Sequence, residues 1–207
     1  MKLLLAAFPP ELGDLLLRPP AGWVSACTDV GAVAAAAATA RLVRELRPER
    51  VLFLGTCGTY DGDRVPVGSL VAVTEAVATS MDELALRGFK PDLERTRWRA
   101  GFLPPLPGHP VAVTPAITLS LEGARLLAGV APLEHLELSG VLEACREAEV
   151  PCGAALAVVN EVGPGAHAQW RANHASGSAR LVEALPVVEV TSIDGEPCGA
   201  EENACVH

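Results

Sequence analysis

The chain has 207 residues, 50% of them hydrophobic, with a formal net charge of -9 and a pI near 5.0. That length buries one sizeable core and suits a single domain. The acidic balance argues against a nucleic-acid surface, which needs clustered Lys and Arg, and favours a small-molecule site.

The opening segment, MKLLLAAFPPELGDLLLR, has about six apolar residues before Pro9 and Pro10, far short of the roughly 20 that span a bilayer. It also lacks the apolar region and cleavage site of a signal peptide. It reads as a first strand near residues 2–8 of a cytoplasmic protein, with no membrane partner expected. Gly31 to Leu46 is rich in alanine, the best helix former, and its small side chains permit close packing on a sheet, so a helix is predicted there. Apolar runs near 51–56 and 69–77 predict the next strands, and residues 79–108, rich in proline and charge, an excursion from the sheet. A further strand is predicted near 110–117.

Leu138, Val141, Leu142 and Cys145 recur at helical spacing, with Glu143, Arg146 and Glu147 toward water. Pro151 and Gly153 stop that helix near Glu149. A strand over 153–160 follows, then a helix over 166–184 with Trp170, His174, Gly177 and Leu181 on one face. Within 187–207, VVEVTS has strand character and the remainder reads as a tail. The alternation of strand and helix predicts one α/β domain over 1–186, a three-layer sandwich about a mixed, largely parallel sheet.

Six cysteines without a CxxC pair suit buried thiols better than a disulfide framework or a zinc site. His167 and His174, on one helix, would lie about 10 Å apart at 1.5 Å per residue, too far to share a metal. No metal or other cofactor is expected. In sheets of this kind the ligand lies beyond the carboxyl ends of the strands. Glu11, the Gly55 to Tyr60 turn, Glu137 and Asn160 all sit just after apolar runs. Cys57, inside that turn, has no activating base nearby in sequence and reads as a buried thiol. Glu134 and Glu143 read as solvated.

The order and spacing of these residues resemble the nucleoside phosphorylase/nucleosidase superfamily over residues 1 to about 185. The resemblance is carried by LFLGTCGTY followed by VPVGSLVAVTEA, by LEHLELSGVLEACREAEVP and by ALAVVNEVGPGAHAQW. The Asn-x-Val-Gly-Pro run with a later Trp looks most like the futalosine hydrolases. The resemblance implies that Glu137 accepts hydrogen bonds from the ribose 2′- and 3′-hydroxyls, that Leu136 packs under the sugar in place of a methionine, and that Glu11 positions the attacking water. It further implies that Gly55, Thr56 and Gly58 hold ribose and water, that Trp170 lies near the substrate, and that Asn160 meets the departing base. Leu138 stands where the family has a small residue and is expected to narrow the pocket. Nucleosidases acting on adenine carry an aspartate at the position of Asn160. A neutral amide there suits a 6-oxopurine.

Phosphate-dependent relatives carry an arginine at the position of Phe53, and without that cation water becomes the expected acceptor. The implied protein is a homo-oligomeric N-ribosyl hydrolase that binds a small nucleoside and releases hypoxanthine in menaquinone synthesis. A phosphate-dependent phosphorylase and a non-catalytic nucleoside-binding homologue are the alternatives.

Overall fold

The apolar runs become an eight-stranded sheet in the computed structural model, which describes residues 1–92 and 95–185. The reading of residues 187–207 as strand or tail lies outside the described residues. In chain order the elements are β1 (Lys2–Ala6), α1 (Pro9–Leu12), β2 (Trp23–Cys27), α2 (Ala32–Leu46), β3 (Val51–Thr59) and β4 (Leu70–Ala78). There follow α3 (Met81–Leu84), β5 (Arg97–Arg99), β6 (Gly108–Val113), α4 (Leu121–Ala128) and β7 (Leu133–His135). The last three are α5 (Leu138–Glu147), β8 (Cys152–Glu161) and α6 (Ala166–Ala184). Among the described residues no helix is long and apolar enough to cross a membrane.

The strands run in the order β2-β1-β3-β7-β6-β4-β5, and β8 pairs with both β3 and β4. Pairing among β3, β8, β4, β6 and β7 therefore closes on itself. β1 is parallel to β2 and β3, β3 to β8, and β6 to β4 and β7. The contacts β3–β7, β4–β8 and β4–β5 are antiparallel, so the sheet is mixed and largely parallel.

Side chains alternate across a strand, which divides the core in two. Leu3, Leu5, Val51 and Phe53 point toward α2 and α5, together with Leu138, Val141 and Leu142. Leu4, Ala6, Leu52 and Leu54 point the other way, with Ala157, Val159 and Leu181. Helices thus cover both faces and give three layers. The alanines of α2 serve a close helix crossing. A Cβ on Gly140 of α5 would lie 2.0 Å from the Ala32 carbonyl oxygen, and neither helix has room there for a larger side chain. Likewise Gly177 of α6 lets that helix settle on β8, where a Cβ would meet Val159 Cγ1 at 2.6 Å.

Two expectations need correction. Residues 79–108 do not leave the sheet altogether, because Arg97–Arg99 pairs antiparallel with Val77–Glu75. This edge strand is polar, with Arg97 paired to Glu75 at 2.8 Å, so no apolar run announces it. The glycine-rich segment Gly55 to Thr59 is not a turn either; β3 continues through it.

Candidate active site

A pocket of about 430 Å³ opens beyond the carboxyl ends of β1, β3 and β8. Glu11, Thr56, Gly58, Leu136, Glu137, Asn160 and Trp170, all read from the sequence as site residues, line it. Gly55 does not. It sits one turn of the pleat deeper, where a Cβ would lie 2.9 Å from Phe53 Cε1 and 3.3 Å from both His135 Nε2 and Leu156 Cδ2. Its smallness lets the first two side chains pack beneath the pocket. Leu138 is fully buried in the core under α5 and is absent from the pocket wall, so it does not narrow the pocket.

Glu11 lies in the short helix α1, whose first turn accommodates Pro9 and Pro10 because the first helical amide hydrogens have no partner to lose. The carboxylate is only 3% exposed. Its Oε1 accepts from the Thr56 amide at 2.8 Å and the Thr56 hydroxyl at 2.9 Å, and Oε2 accepts from the Ala7 amide at 3.1 Å. Burial raises its pKa to about 7; the Thr56 and Ala7 donors oppose that rise, and the charge of Glu137 adds to it. Trp170 Nε1 donates in turn to Thr56 Oγ1 at 3.3 Å, which fixes the direction of the Thr56 hydroxyl toward Glu11. The Thr56 amide is therefore committed to Glu11 and does not face a ligand.

Glu137 stands at the N-cap of α5, yet its side chain makes no capping bond. That role falls to His135, whose Nδ1 accepts from the amides of Glu137 at 3.1 Å and Leu138 at 3.3 Å. Burial lowers the His135 pKa, against the opposing charge of Glu137. An Nδ1 that accepts two amide hydrogens carries no proton, so its 3.3 Å approach to Glu137 Oε2 is not an ion pair. Relieved of capping, Glu137 turns to the pocket. Its Oε1 accepts from the Gly31 amide at 2.8 Å, and Gly31 adopts φ +94°, a conformation that favours glycine.

Asn160 reaches the pocket through a bulge. Cys57 pairs with Val158 but Gly58 pairs with Asn160, so β8 carries one extra residue, Val159, at that step. A Cβ on Gly58 would lie 2.8 Å from Asn160 Nδ2, which makes Gly58 the space that the amide occupies. Asn160 Nδ2 donates to the Glu161 carbonyl at 3.1 Å, and among the described residues nothing else bonds its second hydrogen or Oδ1, which can meet a ligand.

His167 and His174 flank Trp170 on α6. The rings are nearly parallel, 13° apart in both pairs, with centroids at 5.9 Å and 4.4 Å. Cys57 is buried, and burial pushes its thiol well above the usual range, in keeping with an inert side chain. Glu143 is partly exposed and bound by Arg146. Glu134 is the exception among the expected surface acids: it is 6% exposed and lines the pocket. His135 and Glu134 were not legible as site residues, because the partners that bury them, Phe53, Tyr60 and Thr118, are distant in sequence.

With this geometry in view, comparison with known proteins assigns the family. The sequence profile of the phosphorylase superfamily matches residues 21–134. A curated futalosine hydrolase of Streptomyces coelicolor is 31% identical, the match covering 86% of this chain and 84% of that protein. The chain belongs to the phosphorylase superfamily. Among solved structures, the native futalosine hydrolase of Helicobacter pylori superposes with a TM-score of 0.77 at 16% identity, covering 89% of this chain and 94% of that one. The 5′-methylthioadenosine/S-adenosylhomocysteine nucleosidase of Neisseria meningitidis gives 0.74 at 18%, covering 89% and 96%. These likenesses bear out the fold, and the hydrolase relative puts the chain on the N-ribosyl hydrolase side of the superfamily.

Proposed function

We propose that this pocket hydrolyses the N-glycosidic bond of a 6-oxopurine nucleoside of the futalosine type and releases hypoxanthine, with water as the ribosyl acceptor. One observation carries the choice of water over phosphate. Among the described residues the lining holds three glutamates, Glu11, Glu134 and Glu137, and no Lys or Arg. A phosphate dianion entering that wall would meet repulsion where it needs charge-assisted donors. Phe53, at the position of the phosphate-binding arginine, is fully buried and packs against the His135 ring at 5.5 Å.

The reaction builds positive charge on the ribose and negative charge on the departing purine. Glu137, with one oxygen held by Gly31, accepts from the ribose hydroxyls and stabilises the cationic sugar. Water adds to C1′ as the C1′–N9 bond breaks, the bonding pair leaves with the purine, and the purine anion takes a proton from solvent to become hypoxanthine, balancing the proton that water gives up. Glu11, with a pKa of about 7, is suited to take the water proton at neutral pH. Leu136 supplies an apolar floor, and Trp170 holds Thr56 and, through it, Glu11. Asn160 donates its free amide hydrogen to the purine N7. We place the enzyme in the cytoplasm as a homo-oligomer acting without a cofactor. Val30 and Ile117, 60% and 50% exposed on the pocket wall, are apolar surface that a second copy would cover.

The test of the base assignment is the ratio of kcat/KM for inosine-type and adenosine-type nucleosides. A neutral amide hydrogen-bonds a 6-oxopurine leaving group but does not supply the proton that adenine needs on leaving. Wild type is expected to favour the inosine type by roughly 10²-fold or more. Asn160→Asp is expected to reduce that preference. Equal wild-type constants would remove the base assignment.

A further inference from the structure

Glu134 has no part in the mechanism above, yet it is a buried carboxylate in the pocket wall, and no salt bridge reaches it among the described residues. Its Oε2 accepts from the Tyr60 hydroxyl at 2.7 Å and its Oε1 from the Thr118 amide at 3.1 Å. Burial and the charge of Glu134 push the Tyr60 hydroxyl well above its ordinary pKa, so it remains a donor. A carboxylate offers about four acceptor sites, and these two donors leave roughly half of them unmet. A buried acceptor of this kind calls for a donor, and a ligand in the pocket is placed to bring one.

The register shows which part of the ligand. Gly58 is the partner of Glu134 on β7 and of Asn160 on β8. Directly opposed residues of an antiparallel pair project to the same face, so Glu134 rises on the face where a Gly58 Cβ would point. Asn160 Nδ2 lies on that same face, 2.8 Å from the Cβ position. The two side chains thus stand on either side of a residue with no side chain, at the end of the pocket where Asn160 meets the base.

We infer that Glu134 is a specificity-determining residue that accepts the N1–H of a 6-oxopurine while Asn160 binds its N7 edge. This rests on the base-side reading of Asn160. A 6-oxopurine presents N1 as a donor, whereas adenine presents a lone pair there and would face the carboxylate in repulsion. Glu134 and Asn160 then select the same class of base from two edges.

Binding of free bases tests this without requiring turnover. Calorimetric titration of wild type is expected to show hypoxanthine binding about 10- to 100-fold more tightly than 1-methylhypoxanthine, which lacks the N1–H. In Glu134→Gln one acceptor becomes a donor, and the difference is expected to shrink at least tenfold. Should that variant not fold, Glu134→Asp keeps the charge but draws it back by one methylene, and is expected to shrink the difference too. Equal binding of the two bases by wild type, or no binding of either, overturns the inference. So does a wild-type difference that the variant leaves unchanged, which would mean that shape excludes the methyl group and Glu134 only anchors Thr118. A wild type that binds hypoxanthine selectively but cleaves no nucleoside would refute the hydrolysis reading and leave Glu134 in its role.

Discussion

Glu11→Gln is expected to lower kcat/KM for nucleoside hydrolysis by roughly 10³-fold, the middle of the range for a positioned general base, and at the same time to make the protein more stable in mild alkali. Both effects follow from the same burial. The carboxyl titrates near 4.5 in the unfolded chain and near 7 in the fold, so the folded state holds its proton more tightly. Stability from this group is fully present below the unfolded value and is lost as pH rises through about 7. At pH 8 the buried charge costs about 3 kcal/mol relative to a neutral side chain. Gln avoids that cost while its carbonyl still accepts from Thr56. Thermal denaturation should therefore show the variant melting higher than wild type at pH 8, with the gap closing toward pH 5. The wild-type rate should rise through pH 7 as the base loses its proton, and the residual rate of the variant should lack that limb. A variant of wild-type activity would remove Glu11 from the chemistry.

Glu137→Gln is expected to lower kcat by roughly 10²-fold, if about 3 kcal/mol of transition-state stabilisation depends on its charge opposite the cationic ribose. The alternative role for an acid at a helix start is to stabilise the helix. Here His135 caps α5, so the fold should lose little, within about 1 kcal/mol. Parallel measurement of kcat and of denaturation midpoints separates the two roles. Unchanged kinetics with a lowered midpoint would return Glu137 to the helix.

Sequence legibility followed burial pattern. β1, β3, β4 and β8 are apolar runs, and α2, α5 and α6 carry helical spacing, so their bounds were readable to within a few residues. β5 is Arg-Trp-Arg and owes its place to the Arg97–Glu75 ion pair and to Trp98 donating to Glu143 at 2.6 Å, which no local pattern encodes. β7 has three residues and depends on its neighbours. Gly55 and Gly58 have the composition of a turn, but here glycine meets a steric need within a strand, and sequence does not distinguish the two uses. At the site, Glu11, Glu137 and Asn160 stood out because each follows an apolar run, whereas the roles of Thr56 and Trp170 came from the family resemblance. Glu134 did not stand out, since an acid beside a histidine, three residues before Glu137, gives no local sign that it points inward.

The most direct measurement of the central claim is product analysis of a hypoxanthine nucleoside incubated with the enzyme in phosphate-free buffer and again with added phosphate. Free hypoxanthine and free ribose, or the corresponding ribose derivative, are expected at a rate that phosphate does not raise. Ribose 1-phosphate as the principal product, formed only when phosphate is present, would contradict hydrolysis in this pocket.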